Sequence, residues 1–222
     1  MNMPLEITVK HETWRMHDRS AEEGDRAFKV IRKLVIARSP DGRCAYCRFE
    51  TKVDKLQGLS GFFELHHINN DHHDNDPANL TLICPFCHAY FHCGFAGIRK
   101  RAYLAAIPGI SNAGLNYIMH MAHFMAASRK ASMREAAQRI VSLTRAGERH
   151  LRETYELSNP IDLGDALLQA LQAGDVAGEQ KLRRDIRLLG IKLVPDITCE
   201  DYKTPIKFWN ETASRRLGES LL

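Results

Sequence analysis

The chain has 222 residues, 44% hydrophobic and 26% charged, with a formal net charge of +4. That is the composition of an ordinary globular protein, long enough for one large or two small domains with a real core, so disulfide staples are not needed to hold it together. A charge of +4 is compatible with nucleic acid but does not argue for it; local clusters carry more weight.

The opening M-N-M-P-L-E-I has no charged region leading into an apolar run, so no secretory signal is expected. Leu5, Ile7 and Val9 alternate as a short strand would. Trp14, in T-W-R, reads as an anchor beneath the core rather than a surface contact. Residues 21–38 predict an amphipathic helix with Phe28, Ile31, Leu34 and Val35 on one face and Arg32 and Lys33 beside it. Ser39, Pro40, Asp41 and Gly42 end it with turn chemistry.

The next fifty residues organise the chain. Cys44 and Cys47 form one C-x-x-C pair, Cys84 and Cys87 a second. Each pair makes a tight knuckle, and two knuckles complete a tetrahedral four-cysteine zinc site. Cys93 and Cys199 show no such pairing. Free thiolates for zinc point to a reducing cytoplasm. Between the knuckles, Gly58 and Gly61 suggest a turn, and Phe62 and Phe63 lead back into a strand. His66 and His67 are adjacent, so a regular strand sends them to opposite faces; they serve one site only at a strand end or bulge. The loop from Asn70 to Asn79 is polar, with Pro77 keeping it out of regular structure, and Leu80, Leu82 and Ile83 supply apolar backing. His88 and His92, four apart, share one face if their segment is helical. Arg99, Lys100 and Arg101 form the densest basic cluster, either a contact for a phosphate backbone or a solvated turn.

The remainder reads as helical. Ser111 caps a helix to about Ala127 whose core face is Leu115, Ile118, Met119, Ala122 and Met125. This apolar stretch is too short to span a bilayer and contains Asn116, His120 and His123, so no membrane insertion is expected. A second helix, Ser132 to Arg145, buries Met133, Ala137, Ile140 and Leu143 or Thr144 and stops before Gly147; residues 148–160 form a charged connector. Residues 162–173 carry Leu163, Leu167, Leu168 and Leu171, closed by Gly174. Residues 176–189 carry Val176, Leu182, Ile186 and Leu189, closed by Gly190, with Lys181, Arg183, Arg184 and Arg187 on a solvated side. Thr204 and Pro205 start a last helix with Ile206, Trp209 and Leu217.

Two resemblances follow from these motifs. The order C-A-Y-C, E-L-H-H-I-N-N, N-L-T-L-I-C-P-F-C-H-A-Y-F-H resembles the HNH nuclease family, whose fold is a β-hairpin and one helix around a metal. The resemblance implies an α+β protein, with a small zinc-stabilised ββα-metal module embedded in a mostly α-helical chain. The organisation is then 1–43 as an N-terminal segment, 44–103 as the module, 104–147 as a helical core and 148–222 as a C-terminal helical region. It implies that His66, His88 and His92 bind a catalytic divalent metal, that His67 is the general base, and that Asn79 braces the loop holding His67. Cys44, Cys47, Cys84 and Cys87 then bind a separate structural zinc. Many relatives have Asp where this chain has His66, and His72 and His73 are rival ligands from the loop. Three imidazoles favour Zn, Ni, Mn or Co; Mg, the remaining candidate, prefers oxygen ligands. Phosphodiester hydrolysis by such a site makes DNA the partner, with Arg99, Lys100 and Arg101 as backbone contacts.

The wider order is T-W-R, an amphipathic helix, C-A-Y-C-R-F, N-L-T-L-I-C-P-F-C, a P-G-I-S-N-A-G-L-N helix, I-R-L-L and a final tryptophan helix. It resembles the DotN/IcmJ family of type IVB (Dot/Icm) secretion and related conjugation systems. That resemblance implies a cytoplasmic zinc adaptor docked on a coupling ATPase with other coupling-complex proteins, peripheral to an inner-membrane secretion complex. Members of that family can keep the nuclease-like fold without its histidines, whereas here His66, His67, Asn79, His88 and His92 are all present. Two readings therefore stand: a metal-dependent DNA endonuclease or nickase tied to transfer, or a zinc adaptor without turnover.

Overall fold

Two short runs, E-L-H-H and L-T-L-I, make the hairpin from which the candidate site is built. β1 (Glu64–His67) and β2 (Leu80–Ile83) pair antiparallel, Glu64 opposite Ile83 and His67 opposite Leu80. The computed structural model describes residues 5–9, 31–38, 42–51, 61–71, 74–157 and 159–213. Trp14, Phe28, the turn residues 39–41, Gly58, His72, His73 and Leu217 lie outside the described residues. Phe62 has left-handed φ of 68° and is exposed, so the strand begins two residues after it. Pro77 does not exclude regular structure: it opens a 3-10 turn, Pro77–Asn79, capped by Asp76, because a proline in the first turn gives up no helical hydrogen bond.

Behind β2 the chain turns into α2 (Pro85–His88), a 3-10 turn (Ala89–His92) and α3 (Cys93–Ile98). α1, helical over 31–38, packs Val35 and Ile36 inward and leaves Leu34 57% exposed, so its buried edge is turned from the expected one. Arg32 donates to the Phe63 carbonyl at 3.2 Å and Arg38 to the Leu80 carbonyl, docking α1 on the hairpin. Leu5, Ile7 and Val9 are buried, but 5–9 is an extended segment rather than a strand; its Thr8 bonds the backbone of Tyr90 and Cys93.

A second sheet was not apparent from the sequence. β3 (Ala102–Ala106) pairs antiparallel with β4 (Ile191–Pro195), Ala102 opposite Pro195 and Ala106 opposite Ile191. The A-Y-L-A-A run has weak strand preference by itself. It is a strand because β4, some ninety residues later, supplies the ladder, and Tyr90 Oη accepts from Leu193 N–H at 3.2 Å to lock that ladder to the module.

α4 (Asn112–Ala126) starts where Ser111 caps Gly114 N–H at 3.0 Å. α5 (Ala131–Tyr155) then runs unbroken through Gly147 and takes in most of the expected connector. The glycine is there for proximity: a Cβ on it would lie 2.6 Å from the Ala106 carbonyl oxygen of β3. The same contact fixes Thr144, rather than the 72% exposed Leu143, as the inward residue, hydrogen-bonded to Tyr103 at 2.7 Å. Arg145 lies 3.7 Å over the Tyr103 ring and pairs with Asp196 and Glu148. Gly147→Ala is expected to lower the melting temperature. Helix propensity would return about 1 kcal/mol, but crowding a backbone carbonyl costs about 1–3 kcal/mol, and β3 has no room to retreat. An unchanged or raised melting temperature would contradict this packing.

α6 (Pro160–Gln172), capped by Asn159, crosses α3 at backbone contact: a Cβ on Gly164 would lie 2.7 Å from Gly94 N. α7 (Val176–Leu188), capped by Asp175, buries Ile186 and leaves Val176 exposed. Its Arg183 is not simply solvated; it bonds Glu179 and the Ile7 carbonyl. α8 (Glu200–Ala213) begins a turn before Thr204 and Pro205, with Pro205 inside the helix. Tyr202 and Trp209 anchor α8 in the core, and Trp209 Nε1 donates to the Gly61 carbonyl at 2.9 Å. The protein is thus α+β: two small two-stranded sheets and a four-cysteine cluster within a mostly helical chain. Among the described residues no helix is long and apolar enough to cross a membrane.

Candidate metal centre

The first knuckle is a tight turn. Cys44 N–H donates to the Phe49 carbonyl at 2.8 Å, Arg48 N–H returns to the Cys44 carbonyl at 3.1 Å, and Arg48 takes a left-handed φ of 64° to close it. Ala45 N–H donates to the Leu82 carbonyl at 3.0 Å, fixing this turn against β2. The second knuckle is the start of α2, where Cys84 Sγ caps the helix by accepting from Cys87 N–H at 3.4 Å. All four cysteines are buried free thiols, and their sulfurs lie within 4.8 Å of one another. Tetrahedral zinc with Zn–S near 2.3 Å needs S···S separations of about 3.8 Å. The four sulfurs therefore fit zinc with small adjustments.

Burial pushes the Cys84 and Cys87 thiols well above their ordinary range. Burial acts the same way on Cys44, but hydrogen bonds from Cys47, Cys84 and Cys87 outweigh it and hold Cys44 well below that range. A cluster of this kind shares protons among buried sulfurs until a dication replaces them, so metal uptake releases protons.

One side of the hairpin, beside this cluster, carries the histidines. Alternation along β1 puts Glu64 and His66 on one face. His66 is fully enclosed, its ring 3.9 Å from Phe91 and edge-on to Tyr46 at 6.0 Å. His88 closes α2 and His92 closes the following 3-10 turn. Ring centroids are 5.8 Å apart for His66 and His88 and 4.7 Å apart for His88 and His92. Two imidazoles sharing a cation at about 2.1 Å per nitrogen have centroids roughly 5 Å apart, so each pair is near that spacing; among the described residues, however, only the four cysteines bring three or more ligand atoms within 4.8 Å of one another, so the three rings must rotate to share one ion. Glu64 Oε2 hydrogen-bonds His88 Nδ1, which leaves Nε2 as the outward ligand atom. Burial works against the Glu64 charge, but the His88 ring, Arg101 and Arg32 outweigh it and keep the carboxyl below its ordinary range.

His67 is the last residue of β1, and its Nε2 lies 3.1 Å from Asn75 Oδ1 in the following loop. Asn79 ties that loop together. Its Nδ2 donates to Asn69 Oδ1 at 2.8 Å and to the Asp74 carbonyl at 2.9 Å, and its Oδ1 accepts from Asn69 N–H at 3.0 Å.

The chain is 33% identical over 63 residues to the H-N-H endonuclease F-TflIV of Escherichia phage T5. The match covers 28% of this chain and 26% of the phage protein. No protein-family model matches the chain. The similarity to the phage endonuclease and the four-cysteine cluster point the same way, to a nuclease-like module with a possible zinc site.

The basic cluster beyond α3 is arranged differently from a free patch. Arg99 donates to both Asp201 oxygens, at 3.1 and 2.8 Å, and Arg101 Nε donates to Asp201 Oδ2 at 2.7 Å. Hydrogen bonds from Arg99, then Arg101, hold the Asp201 carboxyl below its usual range. These two arginines thus join α8 to the module, while Lys100 between them is exposed on a left-handed turn.

Two groups of residues escape a reading of motifs alone. Glu64 stands two residues before His66, a spacing that places both on one face of a strand. On α4, Asn116, His120 and His123 are buried among the core residues, while the expected Ile118 is 37% exposed. Burial keeps His120 well below its ordinary pKa and pushes His123 down to about 4, outweighing the opposing influence of the neighbouring Asn210 amide, so both rings are neutral near pH 7. Asn116 Nδ2 lies 3.2 Å from Cys87 Sγ, and His120 Nε2 lies 3.3 Å from Cys84 Sγ. Two of these polar residues, Asn116 and His120, thus face the sulfurs.

Proposed function

We propose that this protein is a metal-dependent DNA endonuclease or nickase of the HNH type with a separate structural zinc. The observation that carries the reading is the placement of the His88 ring between those of His66 and His92, 5.8 and 4.7 Å away, with Glu64 bonded to His88, in a chain similar to an H-N-H endonuclease. His66, His88 and His92 would hold the divalent metal, with Zn, Ni, Mn or Co suiting imidazole ligands better than Mg. Such a cation offsets charge on the scissile phosphate and on the leaving oxygen. His67 takes the proton of the attacking water, through whichever ring nitrogen is not engaged with Asn75. Asn79 ties Asn69 and Asp74 to the end of β1 and thereby positions His67. His66 is enclosed, whereas His88 and His92 are half-buried, so phosphate approaches from the His88–His92 side. Lys100 is the exposed cation for a DNA backbone; Arg99 and Arg101 contribute to the local field while clamped on Asp201.

Glu64→Gln is expected to weaken binding of the second metal by about tenfold, since an outer carboxylate that orients a histidine ligand typically contributes 10–100-fold in affinity. His88→Ala is expected to abolish that binding. Both variants should retain one zinc per chain. Titration with Co(II) or Ni(II) alongside total metal analysis measures this; unchanged second-metal affinity in His88→Ala would mean that the ligands are assigned wrongly.

The second reading is the non-catalytic zinc adaptor of a type IVB coupling complex, bound to the coupling ATPase. It draws on the four-cysteine cluster, which among the described residues is the one group of three or more ligand side chains already gathered for an ion, and on the helical body around it. A plasmid-nicking assay across several divalent metals, comparing the wild type with His67→Ala, separates the two. Metal-dependent nicking that is lost in His67→Ala supports the nuclease; no cleavage with any metal supports the adaptor.

A further inference from the structure

Four thiolates around one zinc carry a net charge of −2, and here they sit in a fully buried pocket. Charge buried in this way needs hydrogen-bond donors aimed at the sulfurs. Backbone supplies two: Cys84 N–H to Cys44 Sγ at 3.3 Å and Cys87 N–H to Cys84 Sγ at 3.4 Å. Two more come from α4, a helix outside the hairpin and its following turns: Asn116 Nδ2 at 3.2 Å from Cys87 Sγ and His120 Nε2 at 3.3 Å from Cys84 Sγ. Both residues are completely buried. The His120 ring is clamped between Phe49, from the first knuckle, and Phe86, from the second. Its centroid lies 3.8 and 4.1 Å from theirs, with interplanar angles of 4° and 17°, and the Trp209 ring on α8 packs at 71° to it with centroids 5.1 Å apart.

We propose that Asn116 and His120 are positioning residues of the zinc centre, donating N–H···S bonds to Cys87 and Cys84, and that retention of zinc is thereby coupled to the docking of α4. The aromatic clamp fixes the ring plane with Nε2 3.3 Å from Cys84 Sγ, and the Nε2–H tautomer is the one that gives a thiolate its donor. A histidine that merely filled core volume could be replaced by phenylalanine within the same stack; a donor could not. The consequence is mechanical. α4 packs extensively on α5 and reaches β4, so the zinc becomes a link between the knuckles and the helical body.

The inference rests on the four cysteines holding zinc, which metal analysis of the wild type checks separately, and it is independent of DNA cleavage. The test uses the full chain as Asn116→Leu, His120→Phe and His120→Gln. Zinc release to a chromophoric chelator is followed in time, and the thiolate-to-metal charge-transfer bands of the Co(II)-substituted protein are recorded. Asn116→Leu and His120→Phe are expected to keep wild-type helix content by circular dichroism, to release zinc about tenfold faster, and to shift the Co(II) bands to lower energy, because a thiolate without its donor is a better electron source. His120→Gln, which restores an N–H, is expected to recover part of both effects. Folded Asn116→Leu and His120→Phe with wild-type release rates and unmoved bands would overturn the proposal. Should His120→Phe fail to fold, Asn116→Leu decides by the same two readouts.

Discussion

His67→Ala is expected to lose DNA cleavage by about 10²–10⁴-fold, the range typical for removal of a general base. The same change should leave the structural zinc in place. His67 contributes no sulfur ligand and lies at the end of β1; it is buried and bonds Asn75, so its truncation costs roughly 1 kcal/mol for the hydrogen bond and about 2–4 kcal/mol for lost packing. A loss of that size trims the stability of a domain held by about 5–15 kcal/mol without unfolding it. The combination of lost cleavage, one retained zinc and a lowered but still cooperative melting transition therefore separates chemistry from scaffold. Cleavage that persists equally in His67→Ala points to a contaminating nuclease or to another base, and His73 is then the next residue to replace. A wild type that cleaves nothing with any divalent metal removes the enzyme reading altogether.

Cys87→Ser is expected to have the larger structural effect. Structural zinc sites contribute about 10–16 kcal/mol of apparent binding energy, comparable to the whole net stability of a domain. Cys87 is fully buried at the first turn of α2, and its loss also strands the amide of Asn116. The variant should be recovered as insoluble or loosened protein lacking zinc, with a broadened or absent thermal transition. Strong chelators at elevated temperature should do the same to the wild type. Purified wild type with no zinc and a normal melting curve would falsify the metal assignment.

Comparison with the phage endonuclease covers about a quarter of each chain, so most of the helical body is understood here from its own packing. That packing also explains the extra β-sheet and the continuous α5. The sequence shows Gly147 after a run of helical spacing, which reads locally as a stop; only the Ala106 carbonyl beside it reveals a glycine chosen for close approach. Likewise, Arg99, Lys100 and Arg101 read as a uniform basic patch until Asp201, a hundred residues later, takes two of the three side chains.

What the sequence determined by itself was local. The C-x-x-C spacings, the H-H pair, Ser111 and the glycines after α6 and α7 act through neighbours one to four residues away, and such chemistry is legible without a fold. The stripe Asn116, His120, His123 was also visible at helical spacing, but its polarity gave only a reason to reject a membrane span. Tertiary structure decided what that stripe faces. For Asn116 and His120 the partners are sulfurs contributed from about thirty residues earlier in the chain. The same holds for Glu64 and His88 and for the β3–β4 ladder. Long-range pairing depends on which faces the core brings together, and no local pattern encodes that choice.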